Sequence, residues 1–396
     1  MTDKREVVIL SGVRTAIGDF GGGLKDITPC DLGAMVIREA IARAKVDSAA
    51  IAHGVVGHVI PTEPRDMYIS RVACVKAGMS HDSMAMNVNR LCGSGLQAIV
   101  SAGLFIQNGD ANFAVGGGVE SMSRSGYLLP SARWGARMGD TTLIDMMVGA
   151  LTDPFETVHM GITAENIAAK WGFSREQQDE FAVESHRRAA AAIAEGRFKD
   201  QILPVEQKTR AGVVVFDTDE HVRPDASIAG MTKLRAAFKK ENGTVTAGNA
   251  SGINDGAAAV VLAEASVAAA QGLSPMARLV SYGVGGVDPS VMGEGPIPAV
   301  RQALSRAGLK ASDMDVIESN EAFAAQALCV TKGCEFDPAK TNINGGAVAL
   351  GHPLGATGAI LTVKCLYELQ RSGGRYGLVT MCIGGGQGIA AVFERL

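Results

Sequence analysis

Short apolar runs of strand length alternate along this chain with longer stretches whose apolar residues recur every three or four positions. Residues 7–12 read as an apolar strand, and residues 31–45 read as a helix with Leu32, Met35, Val36, Ala40 and Ile41 on one face. A strand is predicted over 55–60 and a helix over 67–77. Met84, Met86 and Val88 then alternate with Ala85, Asn87 and Asn89, the period of a strand. A helix follows over 95–107, with Leu96, Ile99, Val100, Leu104 and Phe105 at helical spacing, and then a strand over 111–115 that ends in Gly116-Gly117-Gly118. Strands alternating with helices predict an α/β sheet with helices on its faces.

From residue 121 to about 252 the texture changes. Both tryptophans (Trp134, Trp171), several methionines and much of the charge lie here. Ser174 with Gln177 three residues on predicts a capped helix start. Beyond this stretch an apolar strand resumes at 256–263, and the pattern of the first part recurs. A strand at 278–282, a helix at 298–307 and a strand at 316–319 match the opening strand, helix and strand. A glycine-rich helix opening at Gly351 matches the one at Cys92, and a strand at 376–382 ends in Gly384-Gly385-Gly386 as the earlier one ended in Gly116-Gly117-Gly118. The reading is two copies of one α/β unit, residues 1–120 (completed by about 253–273) and 274–396, with 121–252 inserted as a loop domain over a site between them.

Composition narrows the class. The chain has 396 residues, 47% hydrophobic and 20% charged, as in a well-packed soluble enzyme of two or three domains. A net charge of −4 offers nothing to nucleic acid, and no apolar run reaches the length of a membrane span. The first residues, Met1-Thr2-Asp3-Lys4-Arg5-Glu6, enter a strand at once, so no signal peptide is expected. Seven cysteines, an odd number, suit reduced thiols in the cytoplasm, and no Cys/His spacing suggests a metal.

Four stretches are candidates for chemistry. Cys92 sits between a strand and a glycine-punctuated helix, where free N–H groups and the helix dipole favour a thiolate, so a depressed pKa is expected. Ser319-Asn320-Glu321-Ala322-Phe323 follows a predicted strand, and Asn320 offers an amide for a water or a carbonyl oxygen. His352, before Pro353 at a loop-to-helix junction, is a candidate base for a cysteine nucleophile. Cys382 precedes three glycines whose bare N–H groups suit an oxyanion hole. Taken singly, Cys92 and Cys382 also suit core filler, His352 a structural histidine and Asn320 a turn residue. Cys30, Cys74, Cys329, Cys334 and Cys365 have no such setting. Gly384-Gly385-Gly386-Gln387-Gly388 has no following helix and strand for a dinucleotide, and Ser185 and His186 diverge on a helix.

Asn89-Arg90-Leu91-Cys92-Gly93-Ser94-Gly95, Asn320-Glu321-Ala322-Phe323, Gly351-His352-Pro353 and Cys382-Ile383-Gly384-Gly385-Gly386, in this order, resemble the motifs of the thiolase family from about Arg5 to Leu396. Within it the chain looks most like bacterial biosynthetic acetyl-CoA acetyltransferases and broad-range β-ketothiolases, including those used in polyhydroxyalkanoate synthesis. The resemblance implies a thiolase fold, with two duplicated α/β halves in a five-layered α/β/α/β/α core plus the inserted loop domain. It implies an acyl-CoA C-acetyltransferase that joins acetyl-CoA to acetyl-CoA or another short acyl-CoA, reversibly, through acyl-Cys92. His352 would activate Cys92, and Cys382 would exchange a proton with the α-carbon. Asn320, through a water, and His352 would hold one oxyanion, and the N–H groups of Cys92 and Gly384 the other. CoA contacts would fall on His159, Arg223, Phe238, Ala247, Ser251 and Phe323, with Met160 and Met292 near the acyl pocket. Many relatives carry a CoA-touching serine where this chain has Gly230. CoA thioesters would be substrates, with no permanently bound cofactor, metal, nucleic acid or membrane partner, and the assembly would be a cytoplasmic homotetramer. The competing readings are a degradative 3-ketoacyl-CoA thiolase, a cysteine hydrolase, and a lipid- or CoA-binding protein without catalysis.

Overall fold

The computed structural model describes residues 5–209 and 212–396. Met1 to Lys4, on which the expectation of no signal peptide partly rests, lie outside the described residues. In chain order the main elements begin with β1 (Val7–Arg14), α1 (Pro29–Ala44), β2 (His53–Gly57), α2 (Ile69–Ala77), β3 (Met84–Val88), α3 (Ser94–Asn108) and β4 (Phe113–Ser121). Then come α4 (Met160–Trp171), α5 (Arg175–Ala194) and β5 (Asn254–Glu264). The chain closes with β6 (Ala277–Gly286), α6 (Pro296–Ala307), β7 (Val316–Ser319), α7 (Ala324–Gly333), α8 (Leu354–Ser372), β8 (Tyr376–Ile383) and β9 (Gln387–Arg395).

The strands lie side by side in the order β3-β2-β4-β5-β1-β6-β9-β8-β7. At the centre β1 meets β6 only through Val8 with Arg278 and Ile9 with Ala277, so the sheet is two halves joined at a narrow seam. Each half steps outward the same way. β1–β5 and β5–β4 are antiparallel, then β4–β2 and β2–β3 parallel. Across the seam β6–β9 and β9–β8 are antiparallel and β8–β7 parallel. A parallel bridge from Ile317 to Thr341 stands where β3 stands in the first half.

Helices α3 and α8 pack on each other and on strands of both halves, while α1 lies on the far side against β1, β4 and β5, and α6 against β6 and β9. This is the five-layered core. α8 is apolar nearly all round and buried on nearly every face, as a helix between two sheets must be. Its one buried cation, Lys364, donates to Glu318 Oε2 at 2.7 Å and to the Gly345 carbonyl at 2.8 Å.

Two elements differ from the pattern reading in ways that shape the site. The strand expected at 55–60 ends at Gly57, and residues 58–60 turn out of the sheet, where the Glu120 carboxylate accepts the N–H groups of Val59 and Ile60. Gly116-Gly117-Gly118 lies inside β4, not at its end, so it is not the counterpart of Gly384-Gly385-Gly386, which forms the turn between β8 and β9. Those strand glycines allow close approach. A Cβ on Gly116 would lie 2.7 Å from the Ile99 Cα in α3, and one on Gly118 would lie 2.1 Å from the Gly355 carbonyl in α8.

The segment between β4 and β5 is tied back to the core by a fully buried pair, in which the Arg14 guanidinium donates to Asp219 at 2.7 and 3.0 Å and to Gln201 at 2.8 Å. Among the described residues no helix is long and apolar enough to cross a membrane.

Candidate active site

Cys92 is held by a tight loop between β3 and α3. Ser94 Oγ accepts from the Arg90 N–H at 2.8 Å and donates to the Leu91 carbonyl at 2.6 Å, and Asn89 Oδ1 accepts from the Leu91 N–H at 3.1 Å. Leu91 adopts φ +45°, a left-handed conformation that a leucine holds only under such constraint. The sulfur faces the backbone N–H groups of Gly384 and of Cys92 itself. Val59, Ile60, Met122, Met147, Leu151, Ile253 and Leu354 form the apolar wall around it. The pKa departs from the sequence expectation. Burial pushes the thiol up to about 11, and the two N–H groups offset only part of that. The helix start places Cys92 as expected, but removal from water outweighs the dipole.

His352 is fixed from three directions. Its N–H donates to Asn254 Oδ1 at 2.9 Å. Gly351 before it takes φ +104°, and a Cβ there would lie 2.4 Å from Asn254. Its Nδ1 lies 2.6 Å from Thr357 Oγ1, whose own proton goes to the Pro353 carbonyl at 3.0 Å. Thr357 is therefore an acceptor, Nδ1 carries the imidazole proton, and Nε2 is left bare. Burial lowers the imidazole pKa to about 4, so the ring is neutral and able to take a proton. Asn320 Nδ2 lies 3.4 Å from Nε2, and the buried Asn320 Oδ1 has no hydrogen-bond partner among the described residues. The Asn320 N–H donates to the Thr380 carbonyl at 3.0 Å, tying this loop to β8, which carries Cys382 two residues on. Cys382 is fully buried beside Ala322, Phe323, Met160 and Met292. Burial, then the nearby Cys92, raise its thiol well above the ordinary range.

A cleft of about 600 Å³ reaches His352 from the surface. His159, Arg223, Phe238, Ala247, Ser251 and Phe323 line it, as do Met122, Leu151 and Leu354 at the Cys92 wall. Met160 and Met292 do not line it. They stand behind Gly384 and Cys382, where a Cβ on Gly384 would lie 2.8 Å from Met160 Cε. His159 stacks on Phe238 with centroids 4.5 Å apart, and Phe238 meets Phe323 edge-on at 6.2 Å. His159 Nδ1 accepts from the Gly161 N–H at 3.0 Å and so caps α4, which leaves its proton on Nε2. A second cavity of about 470 Å³ shares His221, Arg223 and Ala247 and extends to His186, Asp225, Ser227 and Gly230. There the Ser227 hydroxyl lies 3.4 Å from where a Gly230 side chain would begin.

Sequence reasoning missed Thr357, whose partners His352 and Pro353 are local but carry no pattern, and Asn254, Glu120, His221 and the Met122–Leu151 wall, whose partners are distant along the chain. Ser185 and His186 do diverge: Ser185 donates to Glu321 at 2.7 Å, and His186 Nδ1 accepts from the Arg223 N–H at 3.1 Å. Among the described residues one trio, Cys30, Glu63 and Asp66, clusters metal-ligating atoms. Its atoms are already engaged. Cys30 donates to Asp66, Asp66 accepts three further donors from Thr62 and Glu63, and Glu63 pairs with Arg65 and Arg124.

Two family models match the chain: Thiolase, N-terminal domain over residues 7–266 and Thiolase, C-terminal domain over residues 273–395. Beta-ketothiolase BktB of Cupriavidus necator is 66% identical over 392 residues, 99% of this chain and 100% of that protein. The crystal structure of the Bacillus anthracis acetyl-CoA acetyltransferase matches with a TM-score of 0.97 at 44% identity, covering 99% of each chain. That of human mitochondrial 3-ketoacyl-CoA thiolase also matches at 0.97, with 42% identity and 99% of each chain covered.

Proposed function

The chain belongs to the thiolase family, and from that premise we propose how its residues carry the reaction. It is an acyl-CoA C-acetyltransferase, catalysing the reversible Claisen condensation of acetyl-CoA with acetyl-CoA or another short acyl-CoA. The fold does not choose between synthesis and degradation, since structures named for each match equally well. The 66% identity to a beta-ketothiolase favours the biosynthetic reading, with polyhydroxyalkanoate precursors as its use.

One observation carries the mechanism: the Cys92 sulfur, under two backbone N–H groups and near Cys382, adjoins the cleft that ends on His352. The resting protonation states suit cleavage directly. The Cys92 thiol gives its proton to His352 Nε2 as its sulfur bonds to the ketone carbon of a 3-ketoacyl-CoA. The N–H groups of Cys92 and Gly384 hold the resulting oxyanion. The carbon–carbon bond then breaks, leaving acyl-Cys92 and the enolate of acetyl-CoA. Asn320, through a water, and His352 hold the enolate oxygen, and the Cys382 thiol delivers a proton to its α-carbon. A raised Cys382 pKa matches it to a carbon acid, because its conjugate base is the stronger for it. Incoming CoA gives its proton to the Cys382 thiolate and takes the acyl group, and His352 returns its proton to Cys92. Condensation is the reverse.

CoA lies along the cleft in this reading. Arg223 meets its phosphates, His159 Nε2–H and Ser251 its pantetheine arm, Phe238, Ala247 and Phe323 its apolar length, and Met160 and Met292 back the acyl end. Ser227, beside Gly230, supplies the hydroxyl that Gly230 lacks. Residues 121–252 serve as the loop domain over the site, between the halves 1–120 with 253–273 and 274–396. The seven free thiols support a cytoplasmic setting. An open strand edge and an apolar loop support a homotetramer.

Intact-mass spectrometry with acetyl-CoA, beside acetoacetyl-CoA thiolysis, tests the assignment. Cys92→Ala should show neither adduct nor thiolysis. Cys382→Ser should show the acyl adduct but lose thiolysis by about a hundredfold or more. A folded Cys382→Ser enzyme with full thiolysis would rule Cys382 out as the proton donor.

A further inference from the structure

Glu120 does not appear in the mechanism, yet it touches both sides of the site. It sits near the end of β4 in the first half and is fully buried. Its Oε2 accepts from the Gly355 N–H at 2.8 Å and the Val59 N–H at 3.1 Å, and its Oε1 from the Ile60 N–H at 3.2 Å. His58 Nδ1 lies 3.3 Å from Oε1. The three N–H groups present hydrogen to the carboxylate, while the His58 Nδ1 proton goes to the Val119 carbonyl at 3.0 Å.

The contacts lead to different catalytic groups. Gly355 is the second residue of α8, whose N-cap, Pro353, has no side-chain cap. Glu120 reaches across from the other half to supply that cap, and a negative group there also suits the helix dipole. His352 stands directly before Pro353. On the other side, Val59 and Ile60 pack with Cys92 and Leu354 in one apolar cluster. The fit is close: a Cβ on Gly355 would lie 2.8 Å from Glu120 Oε2 and 2.9 Å from the His58 Cα.

We propose that Glu120 is a positioning residue for the thiolase reaction: its carboxylate locks the start of the His352 helix to the wall of the Cys92 pocket and so sets nucleophile and base in register. The proposal rests on the assignment of Cys92 and His352 above. Proton transfer between them is sensitive to placement, and a shift of about 1 Å can cost on the order of a hundredfold in rate. The residues proposed to meet CoA, Arg223, His159, Ser251 and Phe238, are not among the hydrogen-bond partners of Glu120, so CoA binding should change little when Glu120 does.

Glu120→Gln tests this, because the amide keeps the shape but turns an NH₂ toward N–H groups that need an acceptor. In steady-state thiolysis of acetoacetyl-CoA, its kcat should fall by about tenfold or more. KM for CoA and for acetoacetyl-CoA should move by less than about twofold. Glu120→Asp, which keeps the charge but is one methylene shorter, should fall between Glu120→Gln and wild type. A purely structural role would lower the melting temperature and leave kcat per folded enzyme unchanged, and that result would overturn the proposal. So would a loss confined to KM. If Glu120→Gln does not fold, Glu120→Asp decides: a lower kcat at constant KM supports the lock, and a wild-type kcat refutes it. Cys92→Ala separates the two levels. Should it retain thiolysis, the assignment of the site has failed; should it be inactive while Glu120→Gln turns over normally, only the positioning role has.

Discussion

At rest Cys92 and His352 are a neutral pair. Burial moves the thiol up to about 11 and the imidazole down to about 4, so near pH 7 the proton stays on sulfur and the ring is free to accept it. In the proposed mechanism the nucleophile is made when substrate arrives and the thiol passes its proton to Nε2, a bare nitrogen because Thr357 claims Nδ1. The sign of the pH effect follows. A raised thiol pKa leaves about one part in ten thousand as thiolate at pH 7, and that fraction grows about tenfold per unit as pH rises. Iodoacetamide labelling of Cys92 in the free enzyme, followed by peptide mapping, should therefore keep accelerating through pH 9. A rate that levels off by pH 8 would show a depressed pKa instead. Cys92, Asn320, His352 and Cys382 stood out in the sequence because glycines flank them or strands end beside them. Thr357 and Asn254 did not, since a threonine one turn into a helix or an asparagine at a strand start reads as ordinary until its partner is seen.

At the scale of elements, the alternation of apolar runs and helical spacing located the strands and helices, and Ser174 and Gln177 do form the capping box over α5. The triple glycines misled because a glycine run marks a turn in one context and a contact surface in another. Gly384-Gly385-Gly386 turns with φ +80° and +83° at its last two residues, whereas Gly118 is an ordinary strand residue pressed against α8. Only the packing of helix on strand separates these cases, and the Gly118–Gly355 contact joins residues more than two hundred positions apart. Gly118→Ala tests the contact. Its Cβ would lie 2.1 Å from the Gly355 carbonyl, a backbone atom that cannot swing aside. The substitution should destabilise the fold by roughly 1–3 kcal/mol, the usual cost of overpacking, as read from urea denaturation midpoints at constant slope. Because the same carbonyl belongs to the turn after His352, thiolysis should fall too. A variant with wild-type stability would mean that α8 can move off β4.

At the scale of the molecule, the repeat of apolar patterns made the doubling visible, but the seam between β1 and β6 was hidden, because strand pairing between copies leaves no local mark. Assembly is the remaining question, and the surface answers part of it. β3 is an edge strand, paired only with β2 among the described residues, and its Met84 and Met86 are exposed beside Met67 and Tyr68. An exposed apolar strand edge invites a partner. A second apolar surface lies on the inserted segment, where Trp134 is 83% exposed and Met138 98%, with Tyr127, Leu128 and Leu143 nearby. The proposed homotetramer needs two kinds of contact, and these two apolar surfaces are candidates for them. Light scattering coupled to size exclusion should give a tetramer mass, where a monomer mass at working concentration would refute self-association. Replacing Trp134 and Met138 together by serine should leave dimers, because the β3 edge is untouched. Replacing Met84 and Met86 by lysine should disrupt the strand-edge contact and leave a species smaller than the tetramer. If neither pair of substitutions changes the mass, the contacts lie elsewhere and these surfaces are not what holds the assembly together.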